Sequence, residues 1–234
     1  MASYRRSQNL LLAALPADDF ELLRPKLQTI EMPRGRVLVR AGEIPNKAYF
    51  PLSGVIASCV TLEDGSIVEA RITGREGAVG AATGAGERAS FTSAVVRLEG
   101  TSSAIDYPSL EAALDRSVAF RALLGRHEAL QQAMADQAVA CNAAHDVEAR
   151  LARRLMRLHR MSEQTKYHVT QEVLADMLGI RRNAVSLVAH TIQAANIIRY
   201  SRGQLEIVDL DALHRRSCEC YDTVTAFRTA IEGN

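Results

Sequence analysis

The first 126 residues of this 234-residue chain contain no histidine; all six, His127, His145, His159, His168, His190 and His214, come later. A histidine-ligated metal centre or a haem with a proximal histidine is therefore excluded from that part of the protein. Its serines and carboxylates show no nucleophile-base arrangement, so no catalytic residue is nominated and no enzyme is expected. Cysteines are few. Cys59, Cys141, Cys218 and Cys220 contain no CxxC pair and make no disulfide-like framework. The close pair Cys218-Glu219-Cys220 falls in a stretch that reads as a terminal helix, where residues two apart point to different faces. One ion is not easily held by both thiols there, so they are read as small buried packing residues and no metal is expected. Long apolar runs are also missing. The longest near the start, Leu10 to Leu15, is too short for a membrane span and lacks a cleavage site. No membrane partner is expected, and the default location is the cytoplasm.

Charge of either sign is nearly balanced, at a formal +1, but it is unevenly placed. Between Asp146 and Gly203 ten Lys/Arg face five Asp/Glu. That surplus suits a polyanion. Within the same stretch lies the most specific pattern of the chain, Gln171 to His190, QEVLADMLGIRRNAVSLVAH. Its spacing predicts two short helices joined by a tight turn. Leu174, Leu178, Ile180, Val185 and Val188 form the apolar wedge between them. Ala175 is small where two crossing helices approach closely. Gly179 supplies the positive φ of the turn. Thr170 is placed to cap the first helix, and Glu172 puts a negative charge near its positive end. The side chains left outside the wedge on the second helix are Arg181, Arg182, Asn183, Ser186, Leu187 and His190. With Thr170 and Gln171 at the entry, they form the expected surface for the major groove of double-stranded DNA. An ordinary helical hairpin in a core is the competing reading of such a pattern.

Two β-prone runs follow, Ile197 to Tyr200 and Gln204 to Val208, around Ser201-Arg202-Gly203. They read as a hairpin wing. Arg202 at its tip is either a phosphate contact or a solvated loop arginine. Upstream, Ile30 to Asp106 is a string of short Val-, Ile-, Ala- and Thr-rich runs punctuated by glycine, which predicts a rolled or barrel-like β-domain. The clearest hairpin pairs Val55–Leu62 with Ile67–Ile72 through Glu63-Asp64-Gly65-Ser66. Between the halves, Ser117 to His145 reads as one long helix without proline. Phe120, Leu123, Leu124, His127, Leu130, Met134, Ala138 and Cys141 recur along it at steps of three and four. This stripe is either a dimer seam, the preferred reading, or the buried face of an intramolecular core helix. His127 is expected to be packed or hydrogen-bonded rather than a ligand.

The order of β-roll, long helix and winged helix-turn-helix resembles the CRP/FNR superfamily of bacterial transcription regulators. The resemblance is most specific from HDVEARLARRLMRLHR into TQEVLADMLGIRRNAVSLVAHTIQAANII, and looser through RGRVLVRAGEIPNKAYFPLSGVI. It implies an α+β fold with a jelly-roll-like sensor at residues 1–116, a dimerisation helix at 117–145 and a DNA-binding domain at 146–234. It further implies a homodimer on a pseudo-palindromic site, with RNA polymerase as a candidate partner. A sensor or protein-interaction module whose winged helix docks on protein is the alternative.

The resemblance does not extend to the cyclic AMP pocket. Gly80-Ala81 stands where cyclic AMP-binding members have a Gly-Glu pair, and Thr92-Ser93 where they have Arg-Ser. Ala135 and Asp136 occupy the ligand-facing positions of the long helix. Losing such charge-assisted contacts costs roughly 2–5 kcal/mol, so no cyclic nucleotide cofactor is expected and the effector is left open. The N-terminal cysteines of iron-sulfur members and the roll histidine of haem sensors are missing as well. Arg182, Asn183 and Leu187 align with the Arg, Glu and Arg that read the commonest operator of the family, which implies a different operator here.

Overall fold

The computed structural model describes residues 7–81 and 89–232. The chain divides into two compact units, residues 1–60 with 71–129 and residues 61–70 with 130–234. The division therefore runs through the long helix and assigns the tip of one hairpin to the second unit.

The first unit is the β-roll. Strands β1 (Gln28–Met32), β2 (Val37–Val39), β3 (Lys47–Pro51), β4 (Val55–Thr61), β5 (Ile67–Thr73), β6 (Ser93–Leu98) and β7 (Gly100–Asp106) form two sheets, ordered β1-β7-β3 and β2-β6-β4-β5. Pairing within β1-β7-β3 and between β6 and its neighbours β2 and β4 is antiparallel. β6 shows why one sheet face turns inward: Ala94, Val96 and Leu98 are buried while the residues between them are partly exposed, the period of two that a pleated strand imposes. The turn between β4 and β5 is built as its Asp-Gly predicts, with Gly65 at φ 82° and Ser66 donating to Asp64 Oδ1 from its amide (2.9 Å) and its hydroxyl (2.6 Å).

Helices cover the roll. α1 (Leu10–Ala13), α2 (Ala17–Leu23) and α3 (Tyr107–Arg116) place Leu12, Phe20, Leu23 and Leu110 in one core with Phe50 and Ile105. Asn9, fully buried, is satisfied by three bonds: its Oδ1 accepts from Leu12 N (3.0 Å), and its Nδ2 donates to the carbonyls of Pro51 and Gly77 (2.9 Å each). α1 and α2 had no strong signal in the sequence beyond the short Leu10–Leu15 run.

α4 runs from Val118 to Ala144 as one continuous helix. Its apolar stripe, the half-buried Ala138 apart, is enclosed within the single chain, which corrects the preferred reading of it as a dimer seam. Phe120, Leu123 and Leu124 lie in the core of the first unit. His127 sits over Gly77 and Ala78, its Nε2 3.3 Å from the Ala78 amide nitrogen, so close that a Cβ at Gly77 would lie 2.7 Å from the imidazole. Leu130, Met134 and Cys141 are buried as well, and Ala138 is half-buried. A side chain already enclosed by its own chain has no surface left to offer a second copy.

The second unit holds α5 (Val147–Ser162), α6 (Gln171–Leu178), α7 (Arg182–Ala194), α8 (Leu210–Arg216) and α9 (Cys220–Glu232), with a small antiparallel sheet. That sheet has the order β8 (Lys166–His168), β10 (Gln204–Ile207), β9 (Ile198–Ser201). α5 begins at Asp146, whose Oδ1 accepts from Ala149 N (2.8 Å), and ends at Glu163 in the left-handed region.

Candidate nucleic-acid interface

α6 starts where Thr170 Oγ1 accepts from the Val173 amide at 3.2 Å, so Thr170 is the N-cap. It stops at Gly179, whose φ of 62° is the left-handed conformation a glycine adopts without Cβ strain. The guanidinium of Arg150 donates to the Leu178 carbonyl and satisfies one of the carbonyls left over at that helix end.

α7 buries Val185, Ala189 and Ile192, spaced four and three, and the neighbouring α6 buries Leu174, Met177 and Leu178. Val188 is half-buried. Burying that stripe turns the opposite face outward, and there Arg181, Arg182, Asn183, Ser186, Leu187 and His190 are all exposed. Leu187 is 72% exposed, an uncovered leucine in the middle of a polar face. Arg182 Nε lies 3.5 Å from Gln171 Oε1, which brings the first residue of α6 beside the first of α7. Tyr200 fastens the wing to α7, its amide donating to Gln193 Oε1 at 2.6 Å and its hydroxyl to the Val169 carbonyl at 3.0 Å.

The wing turns through two residues, Arg202 (φ 51°) and Gly203 (φ 76°), between the paired Ser201 and Gln204. Both positive φ values fit the tight hairpin turn that matches strand twist. Arg202 is exposed at the tip. β8, the third strand, carries no strand pattern in the sequence. Its Lys166 faces Glu206 in register, and Glu206 Oε1 and Oε2 lie 3.4 Å from Lys166 Nζ and Arg199 Nη1 respectively.

The basic surplus counted in the sequence overstates what faces outward. Arg153, Arg154 and Arg157 are 2%, 4% and 8% exposed, so three of the ten cations lie in the interior of α5's packing. Arg160 donates to Thr225 Oγ1 at 2.8 Å. The exposed cations of the motif itself are Arg181, Arg182 and Arg202, with Lys166 and Arg199 partly offset by Glu206.

The reading of Cys218 and Cys220 as two positions of one helix is corrected too. Cys218 precedes α9, in the link that follows α8, and Cys220 is the first residue of α9. The link frees the two thiols from helical geometry. Both pack against Cys141 of α4.

In the roll, Gly80 (φ 73°) and the buried Ala81 present no charged side chain, and the Tyr107 hydroxyl donates to the Gly80 carbonyl at 2.6 Å. The Ser93 hydroxyl accepts from the Ala41 amide at 3.0 Å. Ala135 and Asp136 are exposed on α4.

Comparison with known proteins agrees with this arrangement. Residues 29–117 match the family described as a cyclic nucleotide-binding domain, and residues 149–216 match the Crp-like helix-turn-helix domain. No curated protein matches the chain by sequence. Among solved structures, FixK2 from Bradyrhizobium japonicum is similar at 16% identity and a TM-score of 0.69, over 82% of this chain and 98% of its own. A CRP-family transcriptional regulator from Thermus thermophilus is similar at 19% identity and 0.68, over 80% and 96%. CLP of Xanthomonas campestris, described as a c-di-GMP responsive global regulator, is similar at 17% identity and 0.67, over 82% and 99%. Among the described residues no helix is long and apolar enough to cross a membrane.

Proposed function

The chain belongs to the CRP/FNR superfamily of DNA-binding transcription regulators, and from that premise we propose that it acts as a homodimer on a two-fold symmetric site without a cyclic nucleotide. The observation that carries the reading is the outward face of α7. Arg182 has the geometry for a bidentate contact to guanine, Asn183 for adenine, and the exposed Leu187 for a thymine methyl. Arg202 at the wing tip and Arg181 before the helix suit phosphate contacts, which position the protein without reading sequence.

Homodimerisation is supported by the face of α4 that the chain leaves uncovered. Val118 and Val139 are 72% and 71% exposed, with Ala122, Gly125 and Ala129 exposed between them. Independence from cyclic nucleotides is supported by the uncharged Gly80-Ala81 and Thr92-Ser93. The segment 82–88 lies outside the described residues. No catalytic role is assigned, because the residues that define the interface bind and do not form a nucleophile-base pair.

The test is selection of bound duplexes from a random library with purified, ligand-free protein. Enrichment of a palindrome with half-sites one helical turn apart, roughly 34–36 Å, is the expected result. Affinity for that site falls by orders of magnitude between roughly 50 and 200 mM salt as counterions are released. Failure to enrich any symmetric site, with cyclic AMP absent or present, overturns the proposal; enrichment only with cyclic AMP overturns its effector part.

A further inference from the structure

The three cysteines of the second unit converge with a histidine. Cys141 lies in α4's last turn and His145 directly follows the helix, its amide donating to the Cys141 carbonyl at 3.1 Å, while Cys218 and Cys220 flank Glu219 at the start of α9. One ligand atom from each of the four lies within 4.8 Å of every other. Cys141 Sγ is 3.5 Å from Cys218 Sγ, and Cys220 Sγ is 3.6 Å from His145 Nδ1. We propose that Cys141, His145, Cys218 and Cys220 form a closed tetrahedral site for a single zinc ion, which ties the start of α9 to the end of the long helix.

Three independent features support one ion of this kind. The first is size: zinc bonds of about 2.3 Å to sulfur and about 2.0–2.1 Å to nitrogen at tetrahedral angles put sulfurs about 3.8 Å apart and sulfur and nitrogen about 3.6 Å apart. The observed separations are close to both. The second is the outer shell. His145 turns Nδ1 to the thiols while Nε2 lies 3.1 Å from Glu219 Oε1, the carboxylate partner that orients a metal-bound imidazole. Gln137 Nε2 donates to Cys220 Sγ at 3.0 Å, which stabilises a thiolate. The third is enclosure: Cys141, Cys218 and Cys220 are 0%, 6% and 1% exposed, with Ala149 packed against them, so four protein ligands leave no open position for water. Soft thiolates plus one imidazole select zinc over hard cations. A cubane cluster is too large for sulfurs 3.5 Å apart. On binding, the three thiols lose their protons to solvent and the imidazole stays neutral, so the site carries one net negative charge.

The metal clamps a joint. His145 and Asp146 are the two residues between α4 and α5, so occupancy fixes the first residue after the long helix to α9. The proposal stands apart from the DNA-binding reading and is tested without DNA.

The experiment is elemental analysis and Co2+ titration of the full-length protein purified under reducing conditions. The expected result is one zinc per chain, exchangeable for one Co2+ with the absorption bands of tetrahedral thiolate coordination. Cys220→Ser abolishes those bands, Cys59→Ser in the roll keeps them, and Glu219→Gln weakens metal binding about 10–100-fold. Because Glu219 is an exposed residue, its variant folds regardless of what becomes of the buried cysteine variant. Reduced wild-type protein that takes up no Co2+, or takes it up without thiolate bands, overturns the site. A Cys141–Cys218 disulfide in the purified protein, with no Co2+ uptake after reduction, does the same.

Discussion

The carboxylate of Glu69 and the guanidinium of Arg154 lie 3.6 Å apart with both residues almost wholly enclosed, at 1% and 4% exposure. Arg154 Nη2 also donates to the Glu69 backbone carbonyl at 2.8 Å. Burial pulls the Arg154 pKa down and Glu69 holds it up, the arrangement expected when a cation is retained in the interior by its partner. Glu69 belongs to the arm of the β4–β5 hairpin and Arg154 to α5, so the pair joins strand to helix within the second unit.

Removing the Glu69 side chain leaves Arg154 as a buried cation without its carboxylate. Glu69→Ala is therefore expected to lower stability by about 3–5 kcal/mol, while Glu69→Leu with Arg154→Met recovers most of that loss because no charge remains to solvate. Denaturant unfolding of the three proteins checks both statements. A double variant as unstable as the single one would show that the pair acts through shape and not through charge.

Tyr167 gives the second unit a signature at high pH. Burial pushes its pKa from 10 up to about 12, with its hydroxyl bonded to the Gln164 carbonyl and near Ser162. A raised pKa means the folded state holds the proton more tightly, so this contribution is complete below about pH 10 and is lost as pH rises towards about 12. Tyr167→Phe is expected to cost roughly 1 kcal/mol at neutral pH through its lost hydrogen bond. Its stability should fall less steeply than wild type across that alkaline window. Equal slopes for the two proteins would remove Tyr167 as the cause.

The sequence made the site's outward face legible and hid its interior. Arg181, Arg182, Asn183, Ser186, Leu187 and His190 follow from period 3.6 and a glycine turn, both local properties of one short stretch. Arg153, Arg154 and Arg157 looked like part of the same basic surface, because a charge count carries no information about the face on which each side chain lies. The α4 stripe was readable as apolar and periodic, yet periodicity does not distinguish a helix buried by its own chain from one buried by a second copy. β8 is three residues long with polar ends, too short for any alternation to register. The cysteine and histidine cluster needs residues 77 apart, Cys141 and Cys218, to meet, and only the tertiary fold supplies that.

Gly125 separates the two readings of α4. A Cβ built there meets nothing within 4 Å in the single chain, so this chain alone gives no packing reason for a residue that weakens a helix. Gly125→Ala is expected to raise helix stability by about 1 kcal/mol. If Gly125 lies in the proposed seam, Gly125→Glu breaks the homodimer and leaves the monomer folded. Sedimentation velocity reads the outcome, and a Gly125→Glu protein that stays dimeric would move the seam off this face.

Arg182 and Leu187 are both exposed on α7, so they divide the operator contact into a polar and an apolar part. Arg182→Ala is expected to weaken the cognate site by about 1–3 kcal/mol and to relax one guanine position, while binding to non-specific DNA changes little. Arg202→Ala should weaken all sequences alike and make the salt dependence shallower by about one counterion per chain, because a phosphate contact carries no base preference. Leu187→Ala removes an apolar contact without touching charge, so its salt slope should equal that of wild type. Its loss should vanish when the contacted thymine is replaced by uracil, which lacks the methyl group. Titrations of the selected duplex and its single-base variants at two salt concentrations distinguish the three roles. Uniform weakening by Arg182→Ala with no relaxed position would reassign that side chain to the phosphate backbone and leave base reading to Asn183 and Leu187.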